Sequence, residues 1–216
     1  NESGSIAIFA TAGTVASKGY ETALKNLVAA NGYTGKLQFF SQGGVGLAEA
    51  IDEDLNYIDR KAQEPRTLYK GPDLAKNELA IQKALLDIYN FDFSAYKMLC
   101  DANDPEQCNS MQINSPENYV RFHLVSLLEK MSATPGALPL KAMILGCTHY
   151  PFLTAEIQKV LGELRKVKTE GAYRYKHLLA KKVNLIDPAI NTANELFVYL
   201  SEQQLLNQTD KKGNGD

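Results

Sequence analysis

Lys141-Ala142-Met143-Ile144-Leu145-Gly146-Cys147-Thr148-His149-Tyr150-Pro151-Phe152-Leu153 is the stretch whose reading decides the fold. Ala142 to Leu145 is a short apolar run of the kind that forms a strand buried on both faces. It ends at Gly146, where the backbone can turn with no Cβ in the way. Pro151 suits the first turn of a helix, and Thr154 to Val167 supplies one, with Ile157, Val160, Leu161 and Leu164 on one stripe. Open α/β sheets bind ligands at the carboxyl ends of their strands. At that end this chain places a thiol, a hydroxyl and an imidazole in three consecutive residues.

Working outward, the same alternation recurs. Ser5 to Ala10 reads as another buried strand. A hydroxyl-rich turn follows, Thr11-Ala12-Gly13-Thr14, and then an amphipathic helix over Ser17 to Ala30 with Tyr20, Leu24, Leu27 and Val28 inward. Asn31-Gly32 stops it. Lys36 to Phe40 is a strand that leads through the glycine-rich loop Ser41-Gln42-Gly43-Gly44-Val45-Gly46 into a helix from about Leu47 to Gln63. The pattern predicts an α/β domain with strands near 5–10, 36–40 and 141–145 in one mainly parallel sheet flanked by helices.

Ser115-Pro116 is an N-cap followed by a proline at the first helical position. The helix it opens runs to about Met131 and buries Val120, Leu124, Leu127, Leu128 and Met131, with His123 a semi-buried structural histidine. Residues 64–115 are read as a largely helical insertion that packs on the domain or caps its cleft. It holds a helix from about Asp73 to Tyr89, an aromatic patch from Tyr89 to Tyr96 and an acidic loop from Cys100 to Cys108. Beyond the basic run 166–182, whose default is a solvated face, come a short strand (Val183 to Asp187), a helix (Ala189 to Leu205) and a tail, 207–216, expected to be disordered.

Composition sets the bounds. The 216 residues suffice for one large domain or two small ones, and 44% hydrophobic with 22% charged residues is ordinary for a globular chain. A formal net charge of -2 argues against a broad nucleic-acid or anionic-membrane surface, and no apolar run is long enough to span a bilayer. Three cysteines are too few for a disulfide scaffold. Cys100 and Cys108 could close a small loop in an oxidising compartment and are otherwise free surface thiols. A zinc site built from them with Cys147 and His149 matches no familiar spacing, so no metal is expected.

Cys147 could be a nucleophile, a metal ligand or a proton-transfer base. His149, two residues on, points to the same side in extended backbone and could shuttle its proton. The bland alternative is a cysteine packed as a small hydrophobe. Thr14 or Ser17 could likewise simply cap a helix, and Glu49 could simply complement a helix dipole.

Leu145-Gly146-Cys147-Thr148-His149-Tyr150-Pro151-Phe152-Leu153 resembles the second cysteine motif of the glutamate racemases, within the aspartate/glutamate racemase superfamily. The segment Ala10 to Tyr20 resembles the family's threonine-rich turn, and Leu185 to Ala193 its C-terminal stretch. Ser41 to Glu49 is a degenerate version of a fourth motif. What the resemblance implies is cofactor-independent proton transfer at the α-carbon of glutamate, interconverting its L- and D-forms and supplying D-glutamate for peptidoglycan in the cytoplasm. Cys147, His149 and Glu49 would be catalytic, Thr11, Thr14 and Thr148 would bind substrate, and no cofactor would take part. Glutamate would be the small-molecule partner and a homodimer the expected assembly, with no nucleic acid or membrane. The family's first catalytic cysteine has no counterpart before Ile6, so the chain reads as a C-terminal portion. On that reading residues 1–168 form the racemase-like domain, and 169–206 form a strand and helix that complete the sheet of another half. The alternatives are a non-catalytic amino-acid-binding domain of the same fold, an aspartate racemase, or a cysteine hydrolase using Cys147 and His149.

Overall fold

The computed structural model describes residues 2–75 and 79–206. In chain order the strands are β1 (Gly4–Ala10), β2 (Leu37–Gly43), β3 (Met98–Cys100), β4 (Met111–Ile113), β5 (Leu140–Gly146), β6 (Lys168–Thr169), β7 (Ala172–Tyr173) and β8 (Leu179–Ile186). The helices are α1 (Ala12–Ala16), α2 (Gly19–Ala30), α3 (Leu47–Ile51), α4 (Leu86–Tyr89), α5 (Pro116–Ser132), α6 (Thr154–Leu164) and α7 (Pro188–Glu202).

Four strands make a parallel sheet in the order β2-β1-β5-β8. Its centre is the pair of apolar runs that the sequence marks as buried strands. Ala7 lies opposite Phe40 on one side and Met143 on the other. Side chains alternate between the faces, so Ala7, Phe9, Met143 and Leu145 enter the main core while Ile8 and Ile144 point the other way. The main core is closed by Val120, Leu124, Leu127 and Leu128 of α5 and by Ile157, Val160, Leu161 and Leu164 of α6. Burying each such side chain contributes roughly 1.5–3 kcal/mol. The start of α5 follows its sequence signature: the Ser115 hydroxyl accepts from Asn118 N–H, and Pro116 takes the first helical position.

Several segments differ from their sequence reading, each for a local reason. The helix expected over Ser17 to Ala30 forms as α2 but starts two residues later, at Gly19, because Lys18 is left-handed (φ 55°) between α1 and α2. α2 buries none of its residues, and Leu27, expected inward, is 60% exposed. The helix expected from Leu47 to Gln63 stops at Ile51. Glu53 turns left-handed (φ 58°), and the Asp54 carboxylate accepts from the Asn56 N–H, a side-chain bond that competes with helix continuation.

The insertion is not largely helical. Between Asp73 and Tyr89 the described residues hold a single 3-10 turn, Lys83–Leu85, and the four-residue α4; residues 76–78 lie outside the description. Its backbone is instead satisfied by the short antiparallel pair β3–β4 and by three amide side chains. Gln112 bonds both N–H and C=O of Arg66, Asn114 both those of Asp59, and Asn118 both those of Asp92. Irregular chain can be buried only if its polar backbone groups find partners, and these amides supply them. Cys100 and Cys108, next to β3 and β4, are joined in a disulfide, and Cys108 is fully buried.

β8 pairs with β5 through Ala142–Asn184, Met143–Leu185 and Ile144–Ile186, so the C-terminal strand has a neighbour in this same sheet. The chain divides into two units between Ile186 and Asp187. The second unit holds α7, whose Asp187 side chain caps Ala189 N–H and whose first residue is Pro188. The expected tail, 207–216, lies outside the described residues. Within the basic run, Lys181 and Lys182 are exposed, but Arg174 is a bidentate partner of Glu129 on α5, which also accepts from the Tyr175 hydroxyl. Among the described residues no helix is long and apolar enough to cross a membrane.

Candidate active site

Three strand ends stand level. Ala10 is the register partner of Gly43 in β2 and of Gly146 in β5. The residues that follow, Thr11, Gly44 and Cys147, therefore leave the sheet side by side at its carboxyl edge. Close approach there requires the small residues. A Cβ on Gly146 would lie 2.9 Å from the Ala10 Cβ and 3.0 Å from the Tyr20 ring.

From the first of these ends, Thr11 caps α1. Its hydroxyl accepts from Thr14 N–H, and the two hydroxyl oxygens are 2.9 Å apart. Capping therefore does occur, through Thr11 with Thr14 as its partner. Both residues are half-buried.

From the third end, Cys147 enters a tight turn closed by Tyr150 N–H to Cys147 C=O. Pro151 sits in a 3-10 turn, Tyr150–Leu153, that precedes α6. Tyr150 anchors the turn. It is buried against Phe9, with ring centroids 4.6 Å apart, and its hydroxyl donates to Gly44 C=O at 3.1 Å. Burial first, then the charges of Cys147 and Glu49, raise the Tyr150 pKa, so the phenol stays protonated. Thr148 is exposed at the outside of the turn.

The half-buried sulfur of Cys147 lies 3.6 Å from His149 Nδ1. The other ring nitrogen, Nε2, is 3.1 Å and 3.0 Å from the two carboxylate oxygens of Asp52. Glu49, one turn earlier on α3, acts electrostatically on the hydroxyls of Tyr57 and Tyr150. The carboxylate that meets His149 is thus Asp52, which the sequence reading did not single out. Its signal was available, since a position three residues after Glu49 lies on the same face of a helix.

Behind the site, His123 is fully buried rather than semi-buried. Burial lowers its pKa to about 4, only partly opposed by its hydrogen bond to Val45 C=O. The ring is therefore neutral, with Nε2–H donating to Val45 C=O at 3.0 Å and Nδ1 facing Gln42 Nε2 at 3.5 Å. In this way α5 holds the glycine-rich loop that α3 hangs from.

Metal-ligand chemistry gathers elsewhere. Among the described residues Cys100, Asp101 and Cys108 bring ligand atoms within 4.8 Å of one another. The two sulfurs are bonded to each other, and Asp101 accepts from the N–H groups of Asn109 and Ser110. Cys147 is the free thiol.

Comparison with known proteins gives a partial likeness. Over 77 residues the chain is 34% identical to a glutamate racemase of Clostridium perfringens, a stretch covering 36% of this chain and 23% of that protein. Over 90 residues it is 31% identical to a glutamate racemase of Clostridium novyi, covering 42% and 28%. Over 70 residues it is 37% identical to that of Carboxydothermus hydrogenoformans, covering 32% and 19%. The chain is therefore similar to glutamate racemases over part of its length, and the match spans well under a third of each of these relatives. No family model matches the chain, and no solved structure does.

Proposed function

We propose that this chain supplies one catalytic face of a cofactor-independent amino-acid racemase, with glutamate as substrate. The observation that carries the reading is the contact of Cys147 with His149 at the carboxyl edge of the sheet, one strand from the Thr11–Thr14 hydroxyl pair. The Cys147 thiolate takes the α-proton, leaving a carbanion stabilised by the adjacent carboxyl group, and His149 passes that proton on. Thr11, Thr14 and Thr148 offer hydroxyls to the substrate's carboxylate and ammonium groups. Glu49, beside Tyr150, is the weaker candidate for moving protons. Inversion needs a second base on the opposite side of the α-carbon, and Cys100 and Cys108, locked in their disulfide, do not offer one. The partial likeness to glutamate racemases supports glutamate over aspartate, and D-glutamate for cell-wall peptidoglycan is the corresponding product. On compartment, the disulfide weighs toward an oxidising environment over the cytoplasm that the resemblance implies.

The test is solvent exchange in heavy water, followed separately from L- and D-glutamate. The expected result is deuterium uptake at the α-carbon of one enantiomer with little inversion, abolished by Cys147→Ala. Exchange that survives this substitution, or that requires an added metal, would refute the reading. One observation favours a second reading: Cys147, His149 and Asp52 stand in the row a cysteine hydrolase uses. That enzyme would form an acyl-thioester on Cys147 from an activated ester, visible as a burst and a mass increase, and would exchange no α-proton.

A further inference from the structure

The geometry points to Asp52 as the positioning residue of this site, the group that fixes which nitrogen of His149 faces the thiol. The inference rests on Cys147 exchanging its proton through His149, and it concerns how that exchange is directed.

A neutral imidazole carries one proton, on Nδ1 or on Nε2, and its other contacts decide which. A carboxylate only accepts, and both oxygens of Asp52 lie within 3.1 Å of Nε2, so Nε2 carries the proton. Nδ1 is then a bare acceptor turned to the sulfur 3.6 Å away. When the thiol proton moves to Nδ1, both N–H groups of the imidazolium have partners, the thiolate on one side and Asp52 on the other. The reverse transfer restores the thiol with the ring still in place. Without Asp52 the ring can carry its proton on Nδ1 and present a donor to the sulfur, which blocks the transfer.

The pair is not there for stability. Asp52's side chain is 63% exposed and that of His149 32%, and ion pairs so open to water add little to folding. What the fold supplies is position. Asp52 is the C-cap of α3, its N–H held by Ala48 C=O at 3.0 Å, and the left-handed Glu53 turns the chain away directly after it. Glu53 in turn pairs with Arg60 at 2.8 Å. The short helix thus ends where its last side chain meets the ring. Glu49, for which the resemblance implied a proton-handling role, lies one turn back and acts on Tyr150 instead.

The experiment reads the ring and the thiol directly and needs no turnover. Long-range 1H–15N spectra of the histidines give the His149 tautomer, and iodoacetamide in the native chain reports on Cys147, the free thiol. The expected wild-type result is an Nε2–H tautomer. Asp52→Asn is expected to mix the tautomers and to slow alkylation about tenfold, with Asp52→Glu restoring most of the rate and melting temperatures unchanged. An Asp52→Asn chain that keeps the Nε2–H tautomer and the wild-type alkylation rate would overturn the proposal. So would a loss of rate accompanied by an equal loss in Asp52→Glu. Absence of α-proton exchange in the wild type, with tautomer and alkylation behaving as expected, would count against the racemase reading and leave Asp52's role standing.

Discussion

Nε2 of the fully buried His123 donates to the backbone carbonyl of Val45, tying the middle of the longest helix to the loop that carries α3. This ring has an ordinary pKa of 6.5 and is lowered to about 4 by burial. Below pH 6.5 the unfolded chain takes up a proton that the folded chain refuses. Stability is therefore full above pH 6.5 and falls as the pH drops toward about 4, by on the order of 3 kcal/mol from this group. Urea unfolding at several pH values should show this slope in the wild type. His123→Phe should flatten it while lowering stability at neutral pH through the lost Val45 bond.

Asn118 bonds the N–H and C=O of Asp92 and also the C=O of Lys97, and it is fully buried. Asn118→Ala takes this partner from the N–H and C=O of Asp92, while Lys97 C=O keeps its bond from Asn114 N–H. The expected cost is about 2–4 kcal/mol, with Asp92 to Lys97 becoming the first segment cut in limited proteolysis. A variant as stable and as protease-resistant as the wild type would mean that water replaces the amide at no cost.

The Cys100–Cys108 bridge closes a small loop beside β3 and β4. Its removal by Cys100→Ser with Cys108→Ser is expected to cost about 2–3 kcal/mol, in line with loop-closure entropy for so short a separation. Thiol titration of the denatured chain should find one reactive group without reductant and three after reduction. Three groups without reductant would show that the bridge does not form.

Gly44 has no room for a side chain. A Cβ there would stand 2.2 Å from the Tyr150 hydroxyl oxygen and 3.0 Å from the Phe9 ring. Gly44→Ala lowers unfolded-chain entropy, a gain of about 0.4–1 kcal/mol, but overpacking costs about 1–3 kcal/mol, so the net effect should be destabilising. Because Tyr150 anchors the turn that carries Cys147, the same variant should also change the rate at which Cys147 is alkylated. A stable variant with unchanged thiol reactivity would show that the turn does not depend on this contact.

The sheet was legible because its signal is local. The runs Ser5 to Ala10 and Ala142 to Leu145 are apolar, short and bounded by turn residues, and they lie within β1 and β5, which extend one to two residues beyond them. The early stop of the helix after Ile51 was not legible, because its chemistry lies in the Asp54 side chain, and neither was the insertion. Its folding depends on Gln112, Asn114 and Asn118, each bonding a residue 26 to 55 positions away, and no local pattern announces such a bond. Arg174 was hidden in the same way. It reads as one charge in a basic run, yet its partner Glu129 sits 45 residues earlier. At the site, Cys147 and His149 stand out by their spacing, while Asp52 reaches them across 97 residues.

The sheet's strand order also constrains how the chain can be made. Within this sequence β1 is made before β5, one of its two neighbours, and Ala7 cannot meet Met143 until the residues between them have been built. At usual elongation rates that delay is on the order of ten seconds. During it the apolar edge of β1 has only β2 for company, whereas β3, β4 and the disulfide between them can close among neighbouring residues. Birth order and architecture run opposite ways here: the middle of the sheet is completed late, and a nascent chain released or stalled before Leu140 would present an open strand to whatever lies near it.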